Sequence, residues 1–62
     1  MRKVISIQGT QKKISKTGAI YYITYVTVDD GTEAEFWGRD IEVGTPVMIA
    51  YHYGKIKAIK KT

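Results

Sequence analysis

Apolar and polar residues alternate along most of the chain with a period of two, and glycines at 9, 18, 31, 38, 44 and 54 cut the alternation into short segments. A period of two sends successive side chains to opposite faces of an extended strand. The pattern predicts five strands, over residues 4–14, 19–28, 32–37, 47–53 and 55–60, the first of them bent at Gly9. Residues 39–44 leave room for one helical turn at most, with Asp40 as its cap and Gly44 as its stop. No segment has the length and period of a substantial helix. The expected fold is all-β, in one domain spanning residues 1–62.

The second and third strands decide which faces are buried. A two-residue turn at Asp30 and Gly31 would set Val28 opposite Glu33 and Val26 opposite Glu35, placing carboxylates on the valine face. A three-residue turn of Asp29, Asp30 and Gly31, with Gly31 left-handed at a bulge, instead pairs Val28 with Thr32, Val26 with Ala34 and Thr24 with Phe36. One face then reads Tyr22, Thr24, Val26, Val28, Ala34 and Phe36, which is a core. At the last hairpin, a two-residue turn at Tyr53 and Gly54 pairs Tyr51 with Ile56 and Ile49 with Ala58. That adds Val47, Ile49, Tyr51, Ile56 and Ala58 to the core, and leaves Met48, Ala50, His52, Lys55, Lys57 and Ile59 outside.

The other face of the second and third strands carries Tyr21, Ile23, Tyr25 and Trp37 beside Glu33 and Glu35. A chain of 62 residues has core for one face only. The second apolar face therefore requires another explanation.

Composition narrows it. There is no cysteine, which removes disulfides and thiolate metal sites and fits a cytoplasmic setting. His52 is the sole histidine, so neither a metal nor any other cofactor is expected. No nucleophile motif and no phosphate-binding glycine loop occurs, and an enzyme is not expected. The apolar run at the N-terminus is broken by Ser6 and Gln8, too short for a signal peptide or a membrane span. The net charge of +4 is unevenly spread: +5 over residues 1–28, −5 over 29–42 and +4 over 43–62. If the two ends meet in the fold, one side becomes basic and another acidic.

Five short strands with a long bent first one point to a small closed barrel, of which the OB-fold is the leading candidate. The succession Val4-Ile-Ser-Ile-Gln-Gly9, Lys16-Thr-Gly18, Tyr25-Val-Thr-Val-Asp-Asp-Gly31, Glu35-Phe-Trp-Gly-Arg39 and Val43-Gly-Thr-Pro-Val-Met-Ile49 resembles that of OB-fold single-stranded DNA-binding proteins. The likeness spans nearly the whole chain as a pattern of strands and glycines. It is closest in the Phe-Trp-Gly-Arg segment and in the Val-Gly-x-x-Val entry to strand four. The sequence departs from that family in lacking the longer helix between strands three and four and an acidic flexible tail, and with the tail goes the basis for tail-mediated recruitment of partners. The glycine-aromatic motif of cold-shock domains is also missing.

The resemblance implies a ligand lying across strands two and three, flanked by the loops at residues 12–18 and 52–55. The implied strand face is Tyr21, Ile23, Tyr25 and Trp37, on which the three aromatic rings, with Tyr53 as a further one, offer planes for stacking, and Lys12, Lys13, Lys16, Arg39 and Lys55 offer charge for phosphates. Single-stranded DNA is the expected partner, with RNA a second candidate. The implied role is to coat and protect strands during DNA replication, for instance in a virus or mobile element. Met48 and Ile59 would permit a homodimer. Glu33 and Glu35 should repel phosphate and confine a strand to the end near Trp37 and Tyr21. Two other readings stay open: a protein-interaction module using the same aromatic face, and an SH3-like barrel binding duplex DNA or RNA.

Overall fold

A computed structural model of the chain describes residues 2–61. Five strands account for most of them: β1 (Arg2–Ile14), β2 (Ile20–Val28), β3 (Glu33–Trp37), β4 (Pro46–His52) and β5 (Lys55–Lys60). They close into a barrel in the order β1-β2-β3-β5-β4. All neighbours are antiparallel except β3 and β5, which run parallel and meet in register at one pair, Glu35 and Lys57. The order is that of a five-stranded Greek-key barrel of the OB type, as the strand pattern led us to expect.

Both hairpin registers follow the turn chemistry. Thr24 faces Phe36 and Val26 faces Ala34, while the amide of Gly31 donates to the carbonyl of Val28 at 2.9 Å and Gly31 takes φ 88°. The last hairpin pairs Tyr51 with Ile56 and Ile49 with Ala58, around a turn in which Tyr53 and Gly54 both have positive φ. β1 carries register shifts between Val4 and Ser6 and between Ile7 and Gly9, so it bends enough to serve β4 at one end and β2 along its length.

The core is small. Val4, Val26, Val28, Ala34, Ile41, Val47 and Ala58 are buried, with Phe36, Ile49 and Ile56 packed against them. Ile41 comes from the connection between β3 and β4, which contains no helical turn; its lone apolar position between Asp40 and Glu42 gave no periodic signal. At the barrel mouth the Thr24 hydroxyl donates to the Gly38 carbonyl at 2.7 Å and lies 2.9 Å from the Thr10 hydroxyl. Gly38 is required there: a Cβ would lie 3.1 Å from the Phe36 ring, at φ 137°.

Two expected core residues are not in the core. Tyr51 is 77% exposed and Tyr22 is half-buried. Each has inward parity, but each sits where a hairpin runs past the barrel wall opposite it. β3 ends at Trp37 opposite Ile23, and past that point Ile20, Tyr21 and Tyr22 have strand partners only in β1, with Ile14 facing Ile20 at the limit and the Gly38 amide donating to the Tyr22 carbonyl at 2.7 Å. The β1–β2 ribbon thus forms an arm, and the molecule measures 35 × 22 × 21 Å.

Candidate nucleic-acid interface

Alternation along β2 places Tyr21, Ile23 and Tyr25 on the outer face, and register brings Trp37 of β3 beside them. The rings of Tyr21 and Trp37 stack, with centroids 5.4 Å apart and planes 10° from parallel. Offset parallel packing of this kind stabilises an aromatic pair beyond the area it buries. Trp37 is nevertheless 58% exposed, and Tyr25 is half-buried. Ile23 departs from expectation. It is 6% exposed, covered by its neighbours, so it forms the floor of the platform and not a contact.

A second feature of Trp37 was not legible in the sequence. The ammonium of Lys57 lies 4.4 Å from the Trp37 ring centre, donates to Glu35 Oε1 at 3.0 Å, and its side chain is largely buried. Tyr21 belongs to β2 and Lys57 to β5, so they reach Trp37 from opposite sides of β3. The parallel β3–β5 contact brings Lys57 here, and parallel neighbours far apart in sequence leave no turn to betray them.

That contact also revises the role of the acids. Glu35 binds Lys57 and lies 4.0 Å from Lys55, so its charge is matched by two lysines. Glu33 alone of the two remains exposed without an ion-pair partner among the described residues. The barrier to phosphate is therefore restricted to the end of the face next to the β2–β3 turn.

The expected cations are dispersed. Lys13 stands opposite Tyr21 on the platform side of the arm. Lys12 stands opposite Tyr22 and so projects from the other side, while Lys16 lies exposed in the tip between β1 and β2. That tip is a compact turn and not an open loop: the Ser15 amide donates to the Ala19 carbonyl at 2.8 Å and the Gly18 amide to the Ser15 carbonyl at 3.0 Å. Arg39 does not extend the track past Trp37. Its guanidinium lies 4.6 Å over the Tyr22 ring, on the same side as Lys12. Lys55 stands at the β4–β5 turn, beside Glu35.

Beyond Glu35 and Lys57 the strands β3 and β5 part, and a groove of about 760 Å³ opens between Trp37 and the β4–β5 hairpin. Its walls include Trp37, Lys57, Ile59, Tyr51, His52 and Tyr53, with Lys55 and Lys60 also lining it. Tyr53 is 92% exposed and its ring packs 4.4 Å from that of His52. Of these residues, Trp37, Tyr53 and Lys55 were expected from sequence. Tyr51, His52, Lys57, Ile59 and Lys60 were missed, although the register of the last hairpin already turned His52, Lys57 and Ile59 outward.

Fold and site together describe a small β-barrel that presents an aromatic and basic groove. No protein-family model, curated protein or solved structure matches this chain. Among the described residues no helix is long and apolar enough to cross a membrane, and no three potential metal ligands cluster.

Proposed function

We propose that this protein binds single-stranded DNA with little regard to sequence, coating it by stacking bases and neutralising phosphates. The observation that carries this reading is the Tyr21–Trp37 stack at the edge of a groove that also holds exposed Tyr53 and three lysines, Lys55, Lys57 and Lys60. Base stacking on aromatic planes contributes on the order of 1 to 3 kcal/mol per base and is indifferent to base identity. A strand would run from Tyr21 and Lys13 over Trp37 into the groove and leave past Tyr53. In that path it avoids Glu33.

Trp37 is the sole tryptophan, so its fluorescence reports occupancy directly. Titration with single-stranded DNA, RNA and duplex at several salt concentrations should show quenching strongest for single-stranded DNA and weakening as salt rises. Tyr21→Ala should lose most of it. No binding at low salt overturns the reading, and preference for duplex favours a duplex-binding barrel. One observation favours a protein partner: Met48 and Ile59 are paired on the outside of β4 and β5 and both are about half exposed. A concentration-dependent mass in sedimentation, abolished by Met48→Lys, would identify that face as a homodimer contact.

A further inference from the structure

Not every cation of this protein is matched by an acid. Arg2, Lys55, Lys57 and Lys60 each lie within 4.0 Å of a carboxylate. Lys12, Lys13 and Lys16 have no such partner among the described residues, and no acid precedes Asp29 in the sequence. All three belong to the β1–β2 arm. Lys3, Arg39 and Lys61 also lack one and lie elsewhere, so the arm, the one element that projects from the barrel, carries half of the unmatched cations.

The arm has two faces with different chemistry. Lys13 and Tyr21 belong to the platform side, which the proposed function uses. Lys12, Ile14, Ile20 and Tyr22 occupy the reverse, with Arg39 over the Tyr22 ring. Ile14 and Ile20 face each other directly and are 68% and 56% exposed. They make an apolar pad at the tip, rimmed by Lys12 and Lys16. The nearest acid along the chain on this side is Asp40, next to Arg39; its carboxylate is fully exposed and 3.9 Å from the Lys60 ammonium.

An apolar pad rimmed by unpaired lysines fits a surface that is apolar in the middle and anionic at its margins. The end of a nucleic-acid duplex is such a surface: a flat terminal base pair between two phosphate backbones. Branched aliphatic side chains pack on base planes where stacking is interrupted, and a two-stranded ribbon is narrow enough to reach them. We propose that the reverse face of the arm seats Ile14 and Ile20 on the terminal base pair of a duplex where it opens into a single strand, with Lys12 and Lys16 on the flanking phosphates. The inference rests on the single-strand reading above. Tyr21 is adjacent to Ile20 in sequence and on the opposite face of the same ribbon, so the strand that enters the platform at Tyr21 comes to it from beside the pad. The protein then recognises junctions between single strand and duplex, and not single strands alone.

The test compares three fluorescent probes in anisotropy titrations: a single-stranded DNA, a blunt DNA duplex, and that duplex carrying the same single strand as a tail. The wild-type protein should bind the tailed duplex about tenfold or more tighter than the free strand. The double substitution Ile14→Ser, Ile20→Ser should abolish that preference while leaving free-strand affinity within about twofold; Lys12→Glu should weaken the junction selectively and flatten its salt dependence. All these positions are exposed, and a thermal melt of each variant confirms that it folds. Equal affinity for tailed duplex and free strand overturns the junction proposal alone, as does a pad variant that keeps the preference. A pad variant that alters the sedimentation mass of the free protein and not the junction preference also overturns it, by making the pad a contact between copies. Failure to bind the free strand at all removes the underlying function.

Discussion

Tyr53 is held at φ 52°, in the left-handed region that side chains other than asparagine and aspartate rarely occupy. Its turn, with positive φ at both central positions, favours Asn followed by Gly, and a tyrosine there costs about 1 kcal/mol. A residue that strains the backbone while its side chain packs only on neighbouring His52 and stays 92% exposed is better explained by contact than by folding. Tyr53→Asn should therefore raise the melting temperature by about 4–8 °C, while weakening single-strand binding by roughly 5- to 160-fold, the worth of one stacked base. Unchanged affinity in the stabilised variant would remove Tyr53 from the interface.

Glu35 makes the opposite kind of prediction. Its carboxylate holds Lys57 and Lys55, the lysines a phosphate would use, so ligand and carboxylate compete. Glu35→Gln should tighten single-strand binding and steepen the dependence of log K on log salt by up to about 1.4, the share of two more neutralised phosphates on a single strand. Anisotropy titrations at several salt concentrations check both; weaker binding would mean that Glu35 instead positions Lys57 for the ligand.

At the scale of elements, the β2–β3 hairpin shows what turn chemistry can specify. The conflict between carboxylates and valines on one face ruled out the shorter turn before any packing was considered. Asp30 then adds its own lock: its carboxylate accepts from the Thr32 amide at 3.0 Å, and Arg2 lies 3.4 Å away. Hydrogen bonding from Thr32, aided by Arg2, holds the Asp30 carboxyl below its ordinary value of 3.8. The folded state thus favours the charged form, so this contribution to stability is complete above that ordinary value and is lost as pH falls through the lowered one. Denaturant titrations from pH 6 to pH 2 should show part of the acid destabilisation disappear in Asp30→Asn, which keeps an oxygen for the Thr32 amide. Pairing between β3 and β5 was less accessible. No turn joins them, and the alternation of β5 alone does not say which strand its lysines meet. Nor does alternation say where a ribbon outruns its barrel, which is why Tyr51 and Tyr22 read as core and Ile23 as surface.

At the scale of the whole molecule, the three blocks of charge suggested a basic side and an acidic side. The first and last strands do come together, since β1 and β5 both flank β4. Segregation in sequence nevertheless becomes pairing in space: Arg2 with Asp29 and Asp30, Lys55 and Lys57 with Glu35, Lys60 with Asp40. Half of the cations left unmatched among the described residues, Lys12, Lys13 and Lys16, lie on the arm. A core of this size gives marginal stability, so a ligand specific to the folded state should register strongly in a melt. Single-stranded DNA at about one hundred times its dissociation constant adds about 2.7 kcal/mol, enough to raise the melting temperature by on the order of 10 °C. An equal rise with a blunt duplex would count against single-strand selectivity.

The parallel contact at Glu35 and Lys57 has one more consequence. A closure with a single register pair, reinforced by the ion pairs of Glu35 with Lys57 and Lys55, has sparse backbone pairing, and local opening begins where backbone pairing is sparse. If a phosphate draws Lys57 from Glu35, occupancy of the groove and breathing of the barrel become one equilibrium. The amides bordering this closure would then exchange with solvent faster in the complex than in the free protein, while those of β2 exchange more slowly.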